Sequence, residues 1–315
     1  MSNNKSLNEN FDSPLNLTEI VSIFWNAKIK IIFAAFMFGV MSIAYSLSLQ
    51  NTYTSSSLIK LTESENNAIS SISSQFSGLA SLAGVNVPSQ GQNRTQYVME
   101  TMQSRDFLKH LLSFDLVSES LIAVKGFDQN SKELIFNEEI YDSGKSEWKP
   151  REDSKNLIPS YLEIFEKVYR PNFKVSHDIR SGFITISFEH VSPIYAKDFL
   201  DLIVKEINNI TKKNDLEKAS KSLAYLENQL LITKEKDIRM LITSLIATQL
   251  NTKMMANISD NYLVESISKP FIPEEKSGPF RAIICILITV LGTMFTCLII
   301  LLKHIFLNSN RLYPT

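Results

Sequence analysis

Cysteine is scarce in this chain, and its placement is informative. Only two cysteines occur among 315 residues, Cys285 and Cys297, and both lie within one apolar block. Disulfides often stabilise exported domains whose cores are too small to hold the fold together. The rest of this chain can form no disulfide, so it must depend on a packed core or on partners.

The chain also lacks the charge pattern of a nucleic-acid-binding protein. Its 32 Lys and Arg residues balance 33 Asp and Glu residues, and the basic residues form no stripe. The histidines are spread out and form no pair at metal-ligand spacing, so the sequence predicts no metal site. They are His110, His177, His190 and His304.

No catalytic motif is complete. Gly144, Lys145 and Ser146 resemble the end of a phosphate-binding P-loop, but the motif needs glycine at the position of Glu139. A surface turn is therefore the better interpretation of these residues. The chain has no G-x-S-x-G elbow, no cysteine nucleophile outside the apolar block and no evident acid/base couple. The sequence predicts no enzyme and no cofactor.

Glycine and proline are missing between Pro193 and Pro270, which favours long helices. Ser192 and Pro193 give a helix start, with a capping residue followed by proline in the first turn. An apolar stripe then runs at helical spacing through Tyr195, Phe199, Leu202, Ile203, Leu216, Ala219, Leu223, Leu226 and Leu230. The segment Thr233–Asp237 interrupts this stripe, so one very long helix and a helical hairpin both fit. We expect Leu216, Leu223, Leu226 and Leu230 to pack within this arm or against neighbouring copies, with neighbouring copies favoured.

Two uncharged apolar runs, Ile31–Leu49 and Ala282–Leu302, are each long enough to cross a bilayer. A cleaved signal peptide is the alternative for the first run. Its leader of about thirty residues, its length and the lack of a small-x-small cleavage site favour an uncleaved anchor. Small residues that allow close helix packing occur in both runs, at Ala35, Gly39 and Gly292.

Basic residues near the outer ends of the runs predict the topology. Lys28 and Lys30 precede the first run, and Lys303 and Arg311 follow the second. Positive charge marks the cytoplasmic side, and the long middle segment contributes little to orientation. Both termini are therefore expected in the cytoplasm, with the middle segment in the periplasm.

The middle segment predicts a mixed α/β fold with an extended helical arm. Strands are expected at Tyr53–Glu63 and Tyr262–Ser268, and a hairpin in which Ile184, Ile186 and Phe188 alternate with polar residues. The expected boundaries are a tail at 1–30, a span at 31–50, a base at 51–192 and 262–269, an arm at 193–260, a collar at 270–279, a span at 281–302 and a tail at 303–315.

Three prolines stand directly before the second span, at Pro270, Pro273 and Pro279, and Arg281 follows them. Each proline fixes its own φ and pushes the preceding residue toward extended geometry. This collar should be a semi-rigid, polyproline-like strut rather than a flexible tether.

In this order the segments resemble the polysaccharide co-polymerases, the Wzz-type chain length determinant proteins. The resembling segments are LNLTEIVSIFWNAKIKII from Leu15, FSGLASLAG from Phe76, SRDFLKHLL from Ser104, the hairpin with the helix start from Phe173, and KPFIPEEKSGPFRAII from Lys269. The collar residues Pro270, Pro273, Pro279 and Arg281 fall on the family's collar. The sparse glycine of the second span departs from the family.

The resemblance implies a non-enzymatic regulator of the length of lipopolysaccharide O-antigen or a related surface polysaccharide. It implies a homo-oligomer in the bacterial inner membrane that acts with a Wzy-type polymerase on a lipid-linked polysaccharide. The alternative is a co-polymerase or adaptor for capsule or exopolysaccharide export. The short stretch after Leu302 indicates the form without a tyrosine kinase domain, and the short tails disfavour a membrane sensor, which needs a cytoplasmic output module.

Overall fold

The computed structural model describes residues 17–62, 90–150 and 158–309. The contacts divide the chain into two units. One unit contains Thr52–Ser277, and the other contains the residues up to Asn51 together with those from Gly278 onward.

The helices, in chain order, are α1 (Leu17–Asn26), α2 (Lys28–Ser48), α3 (Gln90–Met102), α4 (Arg105–Leu111), α5 (Val117–Ile122), α6 (Tyr161–Ile164), α7 (Pro193–Ile232), α8 (Lys236–Ile258) and α9 (Arg281–Ser309). A wider helical turn at Phe165–Tyr169 and a short turn at Arg170–Asn172 extend α6. The strands are β1 (Tyr53–Leu61), β2 (Val124–Phe127), β3 (Leu134–Phe136), β4 (Tyr141–Asp142), β5 (Glu147–Trp148), β6 (Phe173–His177), β7 (Ile184–His190) and β8 (Val264–Ser268).

Helices α2 and α9 contain the two candidate membrane spans. Helix α2 has 21 residues with a mean hydropathy of 1.9, and the apolar part of α9, Arg281–His304, reaches 2.8. At 1.5 Å per residue, 21 residues extend for about 32 Å, close to the thickness of the hydrocarbon core. Helix α1 lies in the segment where the sequence predicted only a tail.

A four-stranded antiparallel sheet with the order β6-β7-β1-β8 organises the other unit. The predicted hairpin is present, because β6 and β7 pair in register from Phe173 opposite Phe188 to His177 opposite Ile184. Gly182, in its turn, has a φ of +75°, which an L side chain rarely adopts. Ile184, Ile186 and Phe188 are buried, as their alternation predicts.

The core of this unit lies between the sheet, the first half of α7 and the short helices. Phe199 of α7 packs at 4.6 Å between ring centroids from Phe188 of β7 and edge-on to Tyr169. The helical pattern after residue 90 breaks at Ser104, whose Oγ caps α4 by accepting the N–H of Phe107 at 3.1 Å. Leu116 then adopts a φ of +62° and precedes α5.

The helical arm is a hairpin, which decides between the two possibilities left open by the sequence. Helix α7 ends at Ile232 after 40 residues, and α8 returns beside it. Arg239 closes the connection by donating from Nη1 to the carbonyls of Leu230 at 2.6 Å and Thr233 at 3.0 Å. Ser192 caps the start of α7, as predicted, by accepting the N–H of Tyr195.

Candidate functional site

The collar follows β8 and is joined to β1 by hydrogen bonds. Ser57 Oγ donates to the carbonyl of Ser268 and Ser55 Oγ to that of Phe271, both at 2.7 Å. Further along, Thr54 N–H donates to Ser277 Oγ at 2.9 Å, and Ser277 N–H donates to the carbonyl of Thr52 at 2.8 Å. The polar hydroxyls of one strand therefore fix the path of the collar.

The collar is restrained by its packing and hydrogen bonds within the unit as well as by its prolines. Pro270 and Pro273 are buried, whereas Phe271 and Ile272 between them are each 51% exposed. Sequence reasoning singled out the prolines but missed Ser55 and Ser57. The available signal was the appearance of two small polar residues on the buried face of a strand.

Pro279 and Arg281 belong to the unit that holds the candidate spans. Arg281 Nη2 donates to Asn51 Oδ1 at 3.2 Å and to the carbonyl of Leu49 at 3.4 Å. Since Arg281 begins α9 and Leu49 follows α2, this guanidinium links the ends of the two helices.

The two candidate spans contact through small residues. A Cβ placed on Gly292 would overlap the ring of Phe38, and one placed on Gly39 would lie 3.9 Å from Thr289 Oγ1. Ala35, two turns before Ser42 on the same helix, is half-buried, and Ser42 is buried. Although glycine is sparse in α9, α9 approaches α2 closely at Gly292, beside the ring of Phe38.

The apolar stripe of α7 is largely used within its own unit. Ala219 and Leu223 are 1% and 6% exposed, and Leu216 packs against the core. Leu226 and Leu230 are half-buried. A charge at Leu223 would therefore disrupt the arm itself, whether or not copies of the chain associate.

One face of α8 carries large apolar side chains that are exposed. Met240, Met254 and Ile258 are 66%, 60% and 74% exposed. With the exposed Ser244 and Ala247 and the half-buried Asn251 they follow alternating steps of four and three residues, a heptad spacing. No charged residue occurs from Met240 to Thr252, which is unusual for a helix facing water.

Asn208 joins the arm to β8. Its Oδ1 accepts the N–H groups of Leu263 at 2.7 Å and Val264 at 2.9 Å, and its Nδ2 donates to the Val264 carbonyl at 3.0 Å. The carboxamide therefore pairs with the edge of the sheet as a peptide group of another strand would.

The residues considered for chemistry have structural surroundings. Gly144 and Lys145 lie in an exposed turn, where both N–H groups donate to Asp142 Oδ1 at 3.1 Å. His110 Nε2 lies 2.7 Å from Glu206 Oε2. In the described part of the chain, no three His, Cys, Asp or Glu side chains are grouped so that they could hold a metal ion.

His190 is buried and neutral. Ser192 N–H donates to its Nδ1 at 3.1 Å, so the ring proton is on Nε2, which donates to the carbonyl of Ser120 at 2.9 Å. Burial lowers the pKa of His190 to about 4. Burial also raises the pKa of the neighbouring Tyr195 phenol far above its usual value. Both groups hold the start of α7 against the short helices.

Comparison with known proteins yields a family match. The model of the family described as Wzz, chain length determinant protein, matches residues 13–113. This range includes α1, α2, β1, α3 and α4. The FSGLASLAG segment also falls within it, although that segment lies outside the described residues.

Solved structures of co-polymerases align with the chain at low similarity. One, described as a full-length bacterial polysaccharide co-polymerase, is 14% identical, with 95% of this chain and 99% of that chain covered and a TM-score of 0.40. Another is a fragment of WzzB, a polysaccharide co-polymerase from Salmonella Typhimurium, also 14% identical, with 72% and 100% covered and a TM-score of 0.28. No curated protein matches the chain significantly. On the family match over residues 13–113, the resemblance of this chain to the Wzz chain length determinant proteins is confirmed.

Proposed function

We propose that this protein regulates the chain length of lipopolysaccharide O-antigen and forms no covalent bonds itself. The observation that carries the proposal is the Wzz match over residues 13–113. In this proposal the buried Asn208, His190 and Ser55 have structural roles, because they hold elements of the fold together. Such a protein acts through its shape and its contacts.

The proposed location is the inner membrane, with α2 and the apolar part of α9 as the spans. Both termini are cytoplasmic in this proposal, which is supported by the positive charges of Lys28 and Lys30 at the start of α2 and Lys303 near the end of α9. The unit Thr52–Ser277 is then periplasmic. Fusions of an alkaline phosphatase reporter after residue 150 should be active, and inactive fusions there would contradict this topology.

The chain acts as a homo-oligomer in this proposal, and the outer face of α8 provides the contact. An exposed helix without charge over thirteen residues, from Met240 to Thr252, has little reason to face water. Its heptad spacing suits packing against another helix, and Ser244 and Ala247 are small enough to allow a close approach. The assembled arms would then limit how long a Wzy-type polymerase retains a growing lipid-linked chain.

Two substitutions at exposed positions test this contact without disturbing the hairpin. Met240→Glu combined with Met254→Glu introduces charge where both side chains are at least 60% exposed. Ser220→Glu is the matched control, since Ser220 is exposed on α7 beside the charged residues Glu217 and Lys221. The double variant should lose chemical cross-linking between copies, whereas the control should keep it. Unchanged cross-linking in the double variant would remove α8 from the contact.

A gel of surface glycans tests the function itself. A strain without the gene should lose the modal cluster of O-antigen bands, and the wild-type gene should restore it. Loss of a capsule with an unchanged O-antigen ladder would instead support the alternative, an adaptor for capsule or exopolysaccharide export. If neither glycan changed, both functions would be excluded. Co-purification of the polymerase with the wild-type chain tests the partnership separately.

A further inference from the structure

Helix α1, Leu17–Asn26, is a separate element before the first candidate span. Its hydrogen-bond ladder ends where Ala27 N–H donates to the carbonyl of Ile23 at 3.1 Å. The ladder of α2 begins where Ile31 N–H donates to the carbonyl of Ala27, also at 3.1 Å. Ala27 itself has φ −97° and ψ 5°, outside the helical range. The two helices are therefore not one continuous rod.

The span does not need α1. Helix α2 alone extends for about 32 Å, which matches the hydrocarbon thickness, and ten more helical residues would add about 15 Å. Lys28 and Lys30 lie at the junction, and lysines at a span end place their ammonium groups at the membrane surface. The chain on the far side of these lysines is at the level of the headgroups or beyond them.

The sequence of α1 is sharply amphipathic. At 100° per residue its polar residues fall in one arc of the helical wheel, and its apolar residues fill the rest. The polar arc holds Thr18, Glu19, Ser22 and Asn26, and the apolar arc holds Leu17, Ile20, Val21, Ile23, Phe24 and Trp25. Only Glu19 carries a charge. This pattern suits a helix that lies along a boundary between water and hydrocarbon.

The side chains at the end of α1 show which part of the apolar arc is used within the unit. Phe24 is half-buried and lines an apolar cleft with Ile31 of α2 and Leu298 of α9. Trp25, on the neighbouring part of the arc, is 69% exposed, and Lys28 Nζ lies 5.0 Å from its ring centroid. An indole with an ammonium group at its face is the pairing expected at the headgroup level, where tryptophan is enriched.

We propose that α1 lies in the bilayer interface, with Trp25 inserted at the boundary between headgroups and acyl chains and Lys28 at the headgroups. The occupant of the exposed apolar face is lipid, because Trp25 is followed along the chain by Ile29 and Ile32 of α2, which are 76% and 67% exposed on the candidate span. The expected depth is about 5 to 10 Å into the boundary. The proposal needs α2 to span the membrane but does not depend on chain length control.

Fluorescence quenching in brominated lipid tests this placement on the full chain. The chain has two tryptophans, Trp25 and Trp148. Wild-type protein and Trp25→Phe are reconstituted in phosphatidylcholine vesicles with bromine at a shallow, a middle or a deep acyl position. The difference in fluorescence between the two proteins is the emission of Trp25. It should be quenched most by the shallow bromine, with quenching falling toward the deep position.

A second variant and an alkaline wash separate the possible failures. In Trp148→Phe the remaining signal comes from Trp25 alone and should show the same order of quenching. Protein that resists the wash but whose Trp25 is unaffected by any bromine would overturn the proposal, with the face then covered by another protein or another copy. Quenching that is strongest for the deep bromine would also overturn it. Protein released by the wash would instead refute the span in α2, and the interfacial helix with it.

Discussion

Replacing Asn208 with alanine should loosen the joint between the arm and β8. The carboxamide of Asn208 accepts the N–H groups of Leu263 and Val264 and donates to the Val264 carbonyl. Leu263 and Val264 are 2% and 0% exposed, so water does not replace a lost partner without a rearrangement. Alanine removes all of these bonds and leaves the backbone groups unpaired.

The magnitude follows from the number of groups left without a partner. Each buried unpaired N–H costs about 1 to 3 kcal/mol, so the two N–H groups cost about 2 to 6 kcal/mol. Because 1.4 kcal/mol is a factor of ten, even the lower bound speeds the exchange of these amides by about 30-fold. Asn208→Asp should be intermediate, since it keeps both acceptor bonds but loses the donor to Val264.

The faster exchange can be measured by hydrogen-exchange mass spectrometry on the full chain in detergent, in the peptide that covers Leu263 and β8. Asn257→Ala is the matched control, because the Asn257 amide is exposed and donates to the carbonyl of Lys253 in its own helix. It should leave exchange in β8 unchanged. Equal exchange of β8 in Asn208→Ala and in the wild type would falsify the assignment of Asn208 as the joint.

Three further predictions concern acid stability, the spans and the collar. His190 has a lowered pKa of about 4 in the folded protein, so the unfolded state binds more protons between pH 6.5 and pH 4, and the free energy of unfolding should fall by roughly 3 kcal/mol as pH drops through this window. Gly292→Leu should force the spans apart at Phe38 and lower the thermal stability in detergent, at a cost of about 1 to 3 kcal/mol. Ser55→Ala with Ser57→Ala should remove the hydrogen bonds to the carbonyls of Phe271 in the collar and Ser268 at the end of β8, so tryptic cleavage of the collar should become faster.

Each of these predictions has a control in the chain. His190→Gln should show a shallower pH dependence of stability below pH 6.5, and an unchanged slope would transfer the effect to other groups. Val290→Leu lies on α9 at a position 49% exposed and should be neutral, unlike Gly292→Leu. Ser56→Ala changes the intervening serine of β1, and equal cleavage in both serine variants would show that the Ser55 and Ser57 bonds do not restrain the collar.

The sequence predicted the elements that are specified by a pattern of residues along the chain. The spans follow from uncharged runs, the β6–β7 hairpin follows from strict alternation, and α7 follows from the lack of glycine and proline after Pro193. The interruption at Thr233–Asp237 was predicted, but whether the chain reverses there was left open, because no glycine or proline marks a turn and its closure depends on Arg239, which comes after it. A mixed α/β fold could be predicted, but the strand order could not.

The site residues were harder to predict for a different reason. Asn208 reads in sequence as an ordinary polar residue of a helix, and its role depends on a strand about 55 positions away. The outer face of α8 could not be recognised in the sequence. Its inner face is also apolar, so the hydrophobic periodicity of the helix is weak. The roles of the collar prolines and of the span glycines stay predictions.

The rooting of α7 in the core makes the arm a lever. Residues from Ala196 to Leu216 hold the first turns of the helix against the core, and about 24 Å of continuous helix extends from Leu216 to Ile232. A tilt of about 5° at the root therefore moves the far tip by about 2 Å, simply from this geometry. In the proposed homo-oligomer, a small change at the root of each arm would therefore become a larger displacement at its tip.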